Sequence, residues 1–183
     1  MFEVIPLAIP EVRLLRPAVF GDARGFFLET YQQAEFEALG IRDRFVQDNH
    51  SRSGRGTIRG LHYQLRHPQS KLCRVVAGEV LDVAVDIRPG SPTFGRHVSA
   101  VLSAENKLEI YVPAGFAHGF SVLSEAAEFL YKCGDLYHPE DERGIRFDDP
   151  ELGIDWRVAT PLLSAKDRAH PRLREVPGEL LPR

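Results

Sequence analysis

The chain of 183 residues carries 23 Lys and Arg against 26 Asp and Glu, a formal net charge of -3, and is 43% hydrophobic. Such a chain can bury a core without disulfide or metal staples, and its lack of a basic field excludes nucleic acid as an expected partner. No run of about 20 apolar residues offers a membrane span, and residues 1–10 lack the basic and apolar regions of a secretory leader, so a cytoplasmic protein is expected.

In chain order, strands are predicted over residues 12–20 and 25–30. A helix follows over 32–39, with Thr30 and Gln33 in a capping-box pattern, Phe36 and Leu39 on one side, and Gly40 to close it. Further strands are predicted at 45–52, 57–64, 72–77, 80–88, 97–102, 108–112, 119–124 and 127–134. In the sixth of these ten, Val83, Val85 and Ile87 alternate with Asp82, Ala84 and Asp86, the period of a half-buried strand. Short helical pieces are expected after Pro139 and Ser164, and the Pro- and charge-rich residues 171–183 are expected to lie loosely on the surface of a single domain, 1–170. The strand-and-turn rhythm gives an all-β fold, a sandwich or barrel. Cys73 and Cys133 stand singly in apolar runs, without the paired spacing of a zinc site, and read as buried small hydrophobes.

Polar residues concentrate in four places. Gln47-Asp48-Asn49-His50-Ser51-Arg52 and Arg59-Gly60-Leu61-His62-Tyr63-Gln64 place amides, guanidinium groups and imidazoles on two strands, which a strand facing only a core would not do. Arg59 and His62, three apart, point to opposite faces of a regular strand unless a bulge intervenes, and Gly60 is where one would form. Pro113-x-Gly115-x-x-His118 aims an imidazole from a tight turn and resembles the second motif of the cupins, in which the histidine is a metal ligand. The H-x-H pair of the first cupin motif is reduced here to His62-Tyr63-Gln64, so a metal would have to use His62, His67, Glu79 and His118, and a metal-free barrel is expected. Tyr131, Tyr137, Glu142 and Arg143 form a third group, and Lys166-Asp167 a fourth. A tyrosine can return a proton or stack on a base, and a carboxylate can orient an imidazole; barrel packing and a solvated surface pair are the plain alternatives. No Gly-rich phosphate loop, dinucleotide fingerprint or G-x-S-x-G elbow is present.

Taken together these motifs resemble the dTDP-4-dehydrorhamnose 3,5-epimerase family over residues 3–170. The resemblance rests on Asp22-x-Arg24-Gly25-x-Phe27-x-Glu29, Gln47-Asp48-Asn49-x-Ser51, Arg59-Gly60-Leu61-His62-Tyr63-Gln64, Lys71, Gly78-Glu79-Val80-x-Asp82 and Pro113-x-Gly115-Phe116-Ala117-His118-Gly119-Phe120. Tyr131, Tyr137-x-Pro139-Glu140, Asp155-Trp156 and Ser164-x-Lys166-Asp167 complete it. The resemblance implies a cupin-type jelly roll without cofactor or metal, acting on a dTDP-4-keto-6-deoxyhexose. It implies His62 as base, Asp167 as its partner, Tyr131 as the returning acid and Lys71 at the enolate oxygen. Arg24, Glu29, Gln47, Asp48, Asn49, Arg59, His118, Glu142 and Lys166 are implied in substrate binding, with Tyr137 on the thymine. It further implies a homodimer in which Arg24 and Glu29 act across the interface. A single-centre epimerase of the same fold, a metal-dependent cupin oxygenase and a sugar-nucleotide-binding module are the competing readings. Whether Asp167, Asp82 or Asp86 meets His62 is left open by the sequence.

Overall fold

The computed structural model describes residues 1–182. The strands are β1 (Phe2–Ile5), β2 (Arg13–Pro17), β3 (Val19–Asp22), β4 (Gly25–Leu28), β5 (Gln47–Gly54), β6 (Ile58–Gln64), β7 (Lys71–Ala77), β8 (Glu79–Asp86), β9 (His97–Ser103), β10 (Glu109–Val112), β11 (Phe116–Val122), β12 (Ala126–Cys133) and β13 (Glu142–Gly144). Helix α1 spans Gln33–Ala38 and α2 Ala165–Arg168. One sheet runs β1-β2-β10-β7-β12-β5 and the other β13-β6-β11-β8-β9, with β3-β4 as a separate hairpin. Every strand pairing in them is antiparallel. This is the cupin-type barrel the sequence led us to expect.

Side chains from both sheets fill the space between them. Leu14, Val75, Ile110 and Phe129 from the larger sheet meet Val80, Leu102, Phe116 and Phe120 from the smaller one. Phe120 stacks on Phe129 at 4.2 Å between ring centroids, and truncating either ring to Ala would cost about 3–5 kcal/mol. Phe116, Phe120 and Phe129 of this core also line a cavity that they share with polar side chains.

Several local expectations are corrected. The predicted strand over residues 12–20 is two strands, because Pro17 ends β2 and the chain turns into the β3-β4 hairpin. The helix starts two residues later than its capping pattern implied: Gln32 is the N-cap, its side chain accepting from the Glu35 amide at 2.7 Å. After Pro139 the chain makes a turn and β13 rather than a helix. β8 is buried on both faces. Its Asp82 and Asp86 carboxylates are satisfied internally, by His118 at 2.9 Å and by Arg88, Ser91 and Thr93.

The cover on the outer face of β8 is the C-terminal segment that the composition had marked as loose. Leu173 and Leu181 pack with Val83, Val85, Ile87 and Trp156. The Leu173 amide donates to Asp149 at 2.8 Å and the Tyr63 hydroxyl to the Leu180 carbonyl at 2.8 Å. Proline and charge set the average polarity of this segment, but two leucines spaced to reach one apolar face decide where it lies. Arg183 lies outside the described residues.

Candidate active site

β5, β12 and β7 lie side by side in the larger sheet, and their pairing register brings polar residues into rows. Asn49 pairs with Tyr131, Tyr131 with Cys73, and Cys133 with both Gln47 and Lys71. Strand alternation then sorts β5. Gln47, Asn49 and Ser51 face inward to a cavity of about 600 Å³, while Asp48, His50 and Arg52 face outward. Asp48, expected at the substrate, is therefore on the outer face, where it pairs with Lys132 at 2.9 Å and lines a second hollow of about 240 Å³. The odd-even position of a residue in a polar run decides this, and the sequence alone did not fix which parity was inside.

The facing wall is β6. His62 pairs with His118 on β11, but Arg59 pairs with Phe120, so three residues on β6 span two on β11. This is the bulge expected at Gly60. It rotates Arg59 and His62 onto the same side, and both line the cavity. Gly60 has φ +127, and a Cβ there would sit 2.5 Å from the Gly119 Cα, so no other residue fits.

His62 Nε2 donates to Asp167 Oδ1 at 2.6 Å. Asp167 is presented by α2, whose N-cap Ser164 accepts from the Asp167 amide. The choice left open by the sequence thus falls on Asp167, since Asp82 is taken by His118 and Asp86 by Arg88. Burial works against the Asp167 carboxylate, but the hydrogen bond and charge of His62 and the Ser164 hydroxyl bring it below its ordinary value. With Nε2 donating, the other ring nitrogen of His62 is left to accept a proton.

Across the cavity stands the Tyr131 phenol, pushed up to about 12 chiefly by burial, with the neighbouring Cys133 and Cys73 adding to the shift. It is a neutral hydroxyl, able to give a proton. Lys71 Nζ lies 5.9 Å from the centre of its ring. At the mouth, Tyr137 donates to Glu142 at 2.7 Å, and Lys166 also pairs with Glu142. Gln47 Oε1 accepts from the Tyr137 amide at 2.9 Å. His118 is buried at the floor against Asp82, with Cys73 Sγ 3.9 Å away. Of the four residues a metal would have had to use, His62 neighbours Asp167 and His170, His67 neighbours Asp135 and His138, and His118 neighbours Asp82 and Cys73, while Glu79 falls in none of these groups.

Gln47, Asn49, Arg59, His62, Lys71, His118, Tyr131, Tyr137, Glu142, Lys166 and Asp167 thus share one cavity, whereas Arg24 and Glu29 do not line it. Both are exposed; Arg24 sits in the β3-β4 hairpin turn, paired with Asp22, and Glu29 just follows β4. One neighbour was missed. His170 packs edge-on to His62, with ring centroids 5.8 Å apart, and its Nε2 is buried, without a hydrogen-bond partner among the described residues, and 3.7 Å from Asp167. Burial and the nearby His62 hold it below the usual histidine value. Its three-residue spacing from Asp167 was the available signal.

The family model for dTDP-4-dehydrorhamnose 3,5-epimerase matches residues 6–175. The chain belongs to this family. It is 63% identical over 164 residues to the dTDP-4-dehydrorhamnose 3,5-epimerase of Pseudomonas aeruginosa, covering 88% of this chain and 91% of the relative. Among solved structures, the dTDP-6-deoxy-D-glucose-3,5-epimerase of Legionella pneumophila in complex with dTDP-4-keto-L-rhamnose is 54% identical, with a TM-score of 0.98 over 100% of this chain and 98% of that one. A 3'-monoepimerase from Streptomyces bikiniensis in complex with dTDP-quinovose shares the fold at 37% identity, with a TM-score of 0.89 over 97% of this chain and 91% of that one. The epimerase family makes the chain an isomerase.

Proposed function

We propose that the chain converts dTDP-4-keto-6-deoxy-D-glucose to dTDP-4-keto-L-rhamnose by inverting C3 and C5, on the route to dTDP-L-rhamnose. The observation that carries this reading is the division of proton-handling groups between facing sheets. The His62–Asp167 pair stands on one wall and Tyr131 with Lys71 on the other. Both carbons flank the C4 ketone, so loss of either proton gives an enolate. His62 takes the proton, and Asp167 orients the ring and stabilises its charged form, an arrangement worth about 10²–10⁴-fold in rate. Tyr131, reaching the sugar from the opposite face, returns a proton and so inverts the centre. Lys71 faces the enolate oxygen, where one preorganised donor supplies about 3–4 kcal/mol. Arg59 shares that task or holds a phosphate oxygen, Tyr137 stacks on thymine, and Gln47, Asn49, His118, Glu142 and Lys166 bind the sugar and diphosphate end.

The working unit in this proposal is a homodimer in the cytoplasm. Its support is the β3-β4 hairpin, where Phe20, Phe26 and Phe27 are each more than 60% exposed beside Arg24. A hairpin so apolar is covered by a partner surface, and from there Arg24 and Glu29 reach the neighbour's cavity. No described helix is long and apolar enough to cross a membrane.

His62→Ala and Tyr131→Phe test the assignment. Each is expected to lower kcat by at least about 10²-fold while calorimetry finds dTDP binding unchanged. Loss of dTDP affinity in either variant would show that these residues bind rather than catalyse.

A further inference from the structure

Beyond the cavity wall, the loops that follow β6 and β12 meet and bring together a second set of chemistry-bearing side chains, His67, Asp135 and His138. One nitrogen of each imidazole and one carboxylate oxygen all lie within 4.8 Å of one another. The two imidazoles are stacked, 3.9 Å between centroids and 17° from parallel, and Asp135 Oδ2 is 3.6 Å from His67 Nδ1. None of the three is used by the chemistry proposed above.

The frame behind them is fixed. The Gln64 amide donates to the His67 carbonyl at 2.7 Å and to the Leu136 carbonyl at 3.0 Å, and its oxygen accepts from the His138 amide at 2.7 Å. Asp141 accepts from the amides of Arg66 and His67 at 2.7 and 2.8 Å, and the Gln69 side chain donates to the Asp135 carbonyl. The backbones presenting the three donors are therefore locked before any ligand arrives, so little ordering remains to oppose binding. Glu140 Oε1, 3.5 Å from His138 Nδ1, stands where a carboxylate commonly orients a metal-bound histidine.

We propose that His67, Asp135 and His138 form a surface site for a borderline divalent transition metal of the zinc and nickel class, clamping the two loops together. Two imidazoles and a carboxylate are a nitrogen-and-oxygen donor set suited to such ions and poorly suited to magnesium or calcium. Bonds of about 2.0–2.2 Å need the donor atoms closer than they now stand, and because an ion lies in the plane of each imidazole that binds it, one of these two stacked, partly exposed rings must turn out of the stack to share an ion with the other. Three protein donors leave a coordination position for water.

Two other clusters of this kind exist among the described residues, His62-Asp167-His170 in the active site and Cys73-Asp82-His118 at its floor. The test must separate them. Titration calorimetry with zinc chloride, on wild type, His67→Ala, His138→Ala and His170→Ala, is expected to give one site in wild type and in His170→Ala. Affinity should fall at least about 10-fold in each of the first two variants. A thermal melt at a hundredfold excess over Kd should raise the wild-type Tm by about 5 °C or more and leave that of His67→Ala in place. Absence of zinc binding in wild type, equal binding in His67→Ala, or loss only in His170→Ala would each overturn the proposal.

Discussion

Glu109 on β10 is 1% exposed, and neither carboxylate oxygen has a partner among the described residues. Burial pushes its carboxyl up to about 8, with Arg74 and Lys132 only partly offsetting that. The folded protein therefore holds this proton more tightly than the unfolded chain does. The stabilising difference is fully present below the ordinary value of 4.5 and is lost as pH rises towards about 8. Each pH unit in that window costs about 1.4 kcal/mol, so at pH 7 ionisation linkage at this one residue withdraws roughly 3 kcal/mol. Glu109→Gln keeps the shape and removes the titration. Urea unfolding of both proteins at pH 5, 6, 7 and 8 should show the variant near wild type at pH 5 and progressively more stable above it. A stability difference that does not change across those four pH values would refute the reasoning, because a packing or hydrogen-bonding effect alone has no such slope.

Asp167→Asn should lower kcat by about 10²–10⁴-fold, with KM for the sugar nucleotide within a few-fold of wild type, in steady-state assays; unchanged kcat would remove Asp167 from the dyad. Arg24→Ala should be nearly inactive alone, yet mixed dimers with His62→Ala should recover activity, because one of the two sites then holds an intact His62 and an intact Arg24 from the other subunit. No recovery on mixing would place Arg24 outside the neighbour's site.

Much of this was legible in the residue pattern because the strands obey local rules. β5 alternates so regularly that its inward row of Gln47, Asn49 and Ser51 follows once one member is placed. Gly60 between Arg59 and His62 announced the bulge that brings those two side chains together. What escaped were properties of tertiary contact. Asp48 went to the outer face because parity within a wholly polar run carries no sign of which side is inside. The C-terminal segment was misjudged because its anchoring depends on Leu173 and Leu181 meeting an apolar face of β8 that appears only when the sheet is built. His170 and Asp167 became neighbours of His62 through a contact spanning more than a hundred residues, a distance at which no periodicity speaks.

In the proposed reaction one cavity removes and returns protons at two carbons. Proton NMR of dTDP-4-keto-6-deoxy-D-glucose with the enzyme in D₂O, with and without a chelator, tests it directly. Loss of both the C3 and C5 proton signals, unaffected by the chelator and abolished in His62→Ala, is the predicted result. Exchange at one carbon alone would make the chain a single-centre epimerase, and exchange at neither would contradict the mechanism.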